Sequence, residues 1–136
     1  LYWVVSRNEV RDVNTCDGND WFNFSSIAGG DTFENAKLVF NGHDRISERD
    51  ALYFREVQPF QTHSRTSNKH IYMYSFALRP EEHQPSGTCN FSRIDNSSLN
   101  LTFNNTTTVD SQLRIYAVNY NVLRVMSGMA GLAYSN

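Results

Sequence analysis

HIYMYSFAL (His70 to Leu78) is the run on which the fold class turns. Ile71, Met73, Ser75 and Ala77 alternate with Tyr72, Tyr74, Phe76 and Leu78, so the two sets point to opposite sides of an extended chain. That period of two belongs to a β-strand; a helix would repeat every 3.6 residues. Working outward, Leu1 to Val5 is a short apolar run expected to be a buried strand. Asn8 to Asp31 carries Asn, Asp and Gly signals around Trp21-Phe22-Asn23-Phe24 and is expected to be a long loop. Ala36 to Phe40 is a strand ending in the turn pair Asn41-Gly42. Ser47 to Val57 is predicted as a short helix, with Ser47 and Asp50 ahead of Ala51, Leu52, Phe54 and Val57, and Pro59 ending it.

Downstream, Pro80 and Pro85-Ser86-Gly87 bracket a loop, after which Thr88 to Ile94 is expected to be extended. Leu99, Leu101 and Phe103 alternate with Asn100 and Thr102 as a half-buried strand does, and Asn104 to Asp110 is a polar turn. Leu113 to Met126 alternates over about half its length, Ser127-Gly128 marks a hairpin corner, and Met129 to Ser135 returns as the last strand. Six or seven short strands with almost no helix predict an all-β antiparallel sandwich or barrel, in one domain without a visible linker or repeat.

The composition agrees. Nine Phe, seven Tyr and two Trp among 136 residues favour sheets, and a chain this long can bury roughly two-thirds of its unfolded surface. Twelve Lys plus Arg balance fourteen Asp plus Glu without a block of either sign, which offers no direct electrostatic grip on nucleic acid or anionic lipid. The apolar tail Val118 to Tyr134 is interrupted by Asn119, Asn121, Arg124 and two glycines, so no membrane insertion is expected. The chain begins LYWVV with no initiator Met and reads as a piece of something longer. Cys16 and Cys89 admit either a disulfide or two free thiols.

Catalytic and metal chemistry find little footing. Glu81-Glu82-His83 places two carboxylates beside an imidazole, but three consecutive loop residues splay apart, whereas acid–base catalysis needs convergence on one atom. His43, His63, His70 and His83 lack metal-ligand spacing, and a cupin-type site would need clustered histidines. Asp12 to Asp20 fails as an EF-hand loop because Asp17 stands where glycine is required. No nucleophile elbow or phosphate loop is present. The expectation is a non-enzyme without cofactor, catalytic residues or metal ligands. N-x-[ST] acceptors are in excess, with six against about 2.5 expected from 15 Asn and 23 Ser plus Thr. Asn23, Asn96, Asn100 and Asn104 are the candidate glycosylation sites; Asn90 falls in an expected strand, and Asn105 competes with its neighbour.

Two long runs then carry a resemblance. YSFALRPEEHQPSGTCNFSRIDN (Tyr74 to Asn96) and IYAVNYNVLRVMSGMAGLAYSN (Ile115 to Asn136) resemble the major capsid protein of large nucleocytoplasmic DNA viruses, of the chlorovirus and mimivirus-like kind. LYWVV, NGHDR (Asn41 to Arg45) and ERDALYFREVQPF (Glu48 to Phe60) support it, while Val10 to Glu34 shows no pattern of that family. The resemblance implies a jelly-roll sandwich forming most of the second, carboxy-terminal jelly roll of a double jelly-roll protein, without its first strands and the preceding jelly roll. It implies homotrimeric, pseudo-hexagonal capsomers in an icosahedral virion, with neighbouring capsomers and minor capsid proteins as partners. Arg79, Glu81, Glu82, His83 and Gln84 are the candidate subunit-interface loop. The rival reading is a jelly-roll carbohydrate-binding or cupin-like module.

Overall fold

A computed structural model describes residues 1–14, 18–103 and 110–134. Among the described residues, eight strands form two three-stranded sheets and one separate hairpin. In the first sheet β1 (Tyr2–Arg7) lies between β4 (Tyr72–Met73) and β6 (Ser111–Tyr116), antiparallel to both. In the second, β2 (Phe33–Phe40) lies between β3 (His43–Asp50) and β5 (Ser97–Phe103), again antiparallel to both. β7 (Leu123–Met126) and β8 (Met129–Leu132) pair with each other and, among the described residues, with no other strand.

The two sheets meet through aromatic side chains. Trp3 and Tyr72 from the first sheet, Phe33, Ala36 and Leu38 from the second, and Ala51 and Phe54 from the helical connection form one buried cluster with Tyr74. The Phe33 and Tyr72 rings lie 4.4 Å apart between centroids, and Trp3 sits 5.3 Å from Phe54 and 6.2 Å from Tyr72. Tilted and offset contacts of this kind satisfy the ring quadrupoles while removing large apolar areas from water. β1 is apolar along most of its length because it is central in its sheet and covered on both faces; Trp3 through Arg7 are all buried.

Local chemistry sets both two-residue hairpins. Asn41 and Gly42 have φ of 49° and 81°, and Ser127 and Gly128 have 50° and 76°. Two successive left-handed residues make the turn whose twist matches that of paired strands. Asn41 also reaches the second neighbour of β2: its N–H donates to Asn96 O at 2.8 Å, and its Oδ1 accepts from Asn96 N at 3.1 Å, fixing the start of β5.

Four local expectations are corrected. His43–Asp50 is a strand that the sequence reading passed over, so Ser47 begins no helix. Only Ile46 of that strand is even half-buried, because β3 is a sheet edge and carries no apolar alternation. Helical turns start after Asp50, whose Oδ1 accepts from Tyr53 N at 3.2 Å, and they run past Pro59 as a π-turn (Tyr53–Val57) and α1 (Gln58–Thr62). The wider π-turn places Pro59 in the first turn of α1, where a missing N–H is tolerated. The Tyr72 strand is shorter than its alternation predicts. Ser75 Oγ donates to Ala77 O at 2.7 Å and accepts from Ala77 N at 3.2 Å, which folds the chain away from the sheet. Finally, Phe91–Arg93 is a 3₁₀ turn capped by Asn90 Oδ1, which accepts from Ser92 N, so Thr88 to Ile94 is not a strand and neither is Asn90 in one.

The 8–31 loop is held down at Asp31. Its carboxylate takes two hydrogen bonds from Arg55, at 2.9 and 3.3 Å, and one from Tyr72 Oη at 2.9 Å. Burial, with Asp31 adding to it, pushes the Tyr72 phenol well above its ordinary pKa and keeps it a donor. In the full-length protein, Phe54→Ala should lower unfolding free energy by about 3–5 kcal/mol through the cavity it leaves. Tyr72→Phe should cost about 1–3 kcal/mol, since Asp31 keeps Arg55 but loses a buried donor. Denaturant titration measures both; equal, negligible effects would contradict the aromatic block as the centre of the fold.

Candidate functional site

The loop that follows Tyr74 is shaped from inside the chain. Gly87 has φ of 144°, and a Cβ there would meet Phe76 O at 3.1 Å and Ala77 Cα at 3.5 Å, so the position suits glycine on both counts. Ser86 Oγ accepts from Arg79 N at 2.8 Å and donates to Arg79 O at 3.2 Å, closing the neck of the loop. Within it, Arg79 pairs with Glu82 at 3.1 Å, both side chains more than half exposed. A pair so exposed contributes little to stability, yet it orients both groups.

Glu81 is turned toward the end of α1. Its two oxygens accept from Ser64 N at 3.1 Å and from Ser64 Oγ at 3.2 Å. These bonds to the charged form, backbone first, hold the carboxyl below its ordinary value of 4.5. Beside them, Thr62 Oγ donates its one proton to Gln58 O at 2.7 Å, so its 2.9 Å contact with His63 is a bond accepted from Nδ1–H. His63 Nε2 is then an acceptor, 2.7 Å from Tyr2 Oη, which donates to it. Burial and the nearby Glu81 raise the Tyr2 phenol pKa, in keeping with that donor role. Tyr2, Thr62, His63, Ser64 and Glu81 therefore join β1, the end of α1 and the loop. The arrangement is a tether.

The structure separates the side chains that adjacency in sequence suggested might act together. Glu81 points to Ser64 and Glu82 to Arg79, while His83 and Gln84 are exposed at the loop's end. Among the described residues no group of three His, Cys, Asp or Glu is placed to hold a metal ion. Sequence reasoning missed Ser64, His63 and Tyr2. No local pattern could have flagged them, since their partners lie 17 to 61 residues away. Of the candidate glycan acceptors, Asn96 and Asn100 are exposed, and Asn23 is half-buried with its Oδ1 accepting from Ser25 N and Ser25 Oγ. Asn104 lies outside the described residues, as does Cys16; Cys89 is half-buried and carries no disulfide.

Glu81 also sets a pH dependence. A carboxyl whose folded pKa is lowered stabilises the structure above its unfolded pKa and ceases to do so as pH falls through the folded one. The tie to Ser64 should therefore hold from neutral pH down to about 4.5 and loosen below it, read as a fall in the protection of the Ser64 amide relative to an unstructured peptide at the same pH. Glu81→Gln should give the lowered protection at every pH, and Ser64 protection independent of both pH and the substitution would count against the tether.

The chain matches the family described as large eukaryotic DNA virus major capsid protein over residues 1–131. It is 64% identical over 104 residues to the major capsid protein of Chrysochromulina ericina virus, a span that is 74% of this chain and 18% of that protein. It is 45% identical over 142 residues to capsid protein 1 of Acanthamoeba polyphaga mimivirus, covering 95% of this chain and 24% of the relative. Among solved structures, VP54 of PBCV-1, fitted into a reconstruction of the virophage Sputnik, superposes with a TM-score of 0.79 at 35% identity. That superposition covers 99% of this chain and 43% of the other. The antiparallel two-sheet architecture is thus a jelly-roll sandwich, and the chain spans about a fifth to a quarter of the two curated relatives.

Proposed function

This chain belongs to the family of large eukaryotic DNA virus major capsid proteins, and from that premise we propose that it is most of the carboxy-terminal jelly roll of a protein that builds an icosahedral virion shell. In this reading three copies of the full-length protein form a pseudo-hexagonal capsomer, and the capsomers tile against one another and against minor capsid proteins. The relatives are named as capsid proteins and not for any catalysis. The observation that carries the reading is the superposition of nearly the whole chain on a capsid protein's fold.

The sheets support the partial jelly roll. A jelly roll has eight strands in two sheets; among the described residues the two packed sheets have three strands each and β7–β8 stands apart from both, with β6 at an edge of one sheet and β5 at an edge of the other. Strands supplied by the longer polypeptide beside β6 and β5 would cover both open edges. Left open, those edges template unwanted pairing, so the 136 residues alone are expected to aggregate where the full-length protein does not.

The 79–87 loop is our candidate contact between copies. Its internal ties occupy Glu81 and Glu82, which leaves His83, Gln84 and the outer face of Arg79 for a neighbour. Each such contact is modest alone and gains from repetition around a closed ring and a shell. No helix among the described residues is long and apolar enough to cross a membrane. Asn96 and Asn100 are the exposed sugar acceptors among the described candidates; mass spectrometry of virion peptides is expected to find glycan adducts there, and unmodified peptides would remove them.

Negative-stain images of the full-length protein should show pseudo-hexagonal trimers. Monomers that bind an oligosaccharide would favour the rival binding-module reading instead. His83→Ala with Gln84→Ala should lower trimer yield several-fold while leaving the monomer's fold intact; unchanged yield would move the interface elsewhere.

A further inference from the structure

The turn from Asp20 to Asn23 shows an aromatic pair to solvent and ends on a sugar acceptor. Asn23 N donates to Asp20 O at 3.0 Å, so Trp21 and Phe22 take the two corner positions, where they are 47% and 73% exposed. The turn is anchored. Asp20 N donates at 3.1 Å to the carbonyl of Val10, a fully buried residue. Trp21 is held on one side by Arg11, whose guanidinium carbon lies 5.4 Å from the ring centroid and which also donates to Gln112 Oε1. One face of the indole is thus occupied, and the rest is presented outward.

Asn23 itself is set up for reaction at nitrogen. Its Oδ1 accepts from Ser25 Oγ at 2.6 Å and from Ser25 N at 3.1 Å, and this Asx turn orients the amide plane. Among the described residues Nδ2 has no hydrogen-bond partner. Two bonds accepted at oxygen polarise the amide and make an Nδ2 proton easier to remove. Asn23-Phe24-Ser25 is an N-x-[ST] acceptor, and the hydroxyl that the motif requires is the one bonded to Oδ1. Asn90 and Asn96 show one such bond each, from Ser92 N at 3.0 Å and from Ser98 Oγ at 3.5 Å. Exposure ranks Asn96 and Asn100 ahead of Asn23; hydrogen bonding ranks Asn23 first.

We propose that Asn23 carries an N-linked sugar whose first ring lies on the open side of the Trp21 indole. In the transfer, Nδ2 attacks the anomeric carbon of a sugar activated as a phosphate ester, a nucleotide- or lipid-linked donor brought by a separate transferase. The C1–Nδ2 bond forms and the C1–O bond breaks; the phosphate leaves with the electron pair, and one Nδ2 proton goes to a base of the transferase. Position decides the occupant. A sugar joined to Nδ2 begins two residues from the indole on the same turn, so stacking needs no second molecule. Tethering gives it an effective concentration of roughly millimolar. The C–H groups of a pyranose are apolar and faintly positive, which suits the negative face of an aromatic ring. The sugar covers ring surface that would otherwise mark a contact. A hydrated glycan does not fit between packed subunits, so the 8–31 loop lies on a solvent face of the capsomer. Only that last step rests on the capsid reading.

The test uses natively produced full-length protein, before and after enzymatic removal of sugars without denaturation. Each sample is exposed briefly to hydroxyl radicals, and the peptide holding both Trp21 and Asn23 is analysed by mass spectrometry. That peptide should carry a glycan at Asn23, and Trp21 should oxidise several-fold faster once the glycan is gone, with buried Trp3 unchanged in both samples. An unmodified Asn23 would overturn the proposal, and if Trp21 were protected all the same, cover by the rest of the polypeptide would replace it. A glycan at Asn23 that leaves Trp21 oxidation unaltered would overturn it as well. Glycan-protected Trp21 in a protein that forms no trimers would instead sink the capsomer reading and leave the stacked sugar standing.

Discussion

The contact between the Trp3 indole, Phe54 and the Tyr72 ring is the constraint from which the other features follow. It brings together the central strand of one sheet, the short strand beside it and the helical connection that leaves the other sheet. Rings of this size cannot be moved singly without opening a void, because protein interiors are packed as densely as organic crystals. Phe33 then sits on Tyr72, which brings β2 against the first sheet. The same Tyr72 turns its hydroxyl to Asp31, so the aromatic block also decides where the long 8–31 loop ends and where Arg55 must lie. One side chain thus serves packing through its ring and loop attachment through its hydroxyl.

The 79–87 loop inherits its position from that block. Tyr74 belongs to the core and is paired in both directions with Leu1, at 2.8 and 2.9 Å. Phe76 packs edge-on against Tyr74 at 5.1 Å. From there Ser75, Gly87 and Ser86 turn the chain outward and close the neck. What emerges is a projection whose two carboxylates are each tied to a neighbour within the chain. In the proposed contact between copies, a preorganised projection would lose less freedom than a mobile one does.

Much of the architecture was legible from pattern, and the errors share a cause. The apolar run of β1, the alternation in β5 and the Asn41-Gly42 and Ser127-Gly128 corners all proved reliable, because each reflects a preference the chain expresses over two to seven residues. β3 was invisible because an exposed edge strand has no reason to alternate. Pro59 misled because a π-turn, which no propensity announces, changed its place in the helix. At Ser75 a single hydroxyl bonding to Ala77 ended a strand that the alternation would have carried on to Leu78. Of the candidate loop, Pro80 and Gly87 mark only its middle, since the chain is irregular from Tyr74 to Asn90, and the direction of each carboxylate was not readable.

By itself the sequence determined the all-β class, the two hairpin corners, the lack of metal-ligand spacing and, through two runs of more than twenty residues, the family. Those are properties of neighbours along the chain or of long shared strings, and neither needs a third dimension. Only the tertiary structure decided that Glu81 faces Ser64 and that Asp31 joins Arg55 to Tyr72. Such pairings are selected by which surfaces meet once the aromatic core has closed. Hydrogen bonding at separations of 17 to 41 residues leaves no period in the sequence, because each bond is satisfied by position in space and not by spacing along the chain.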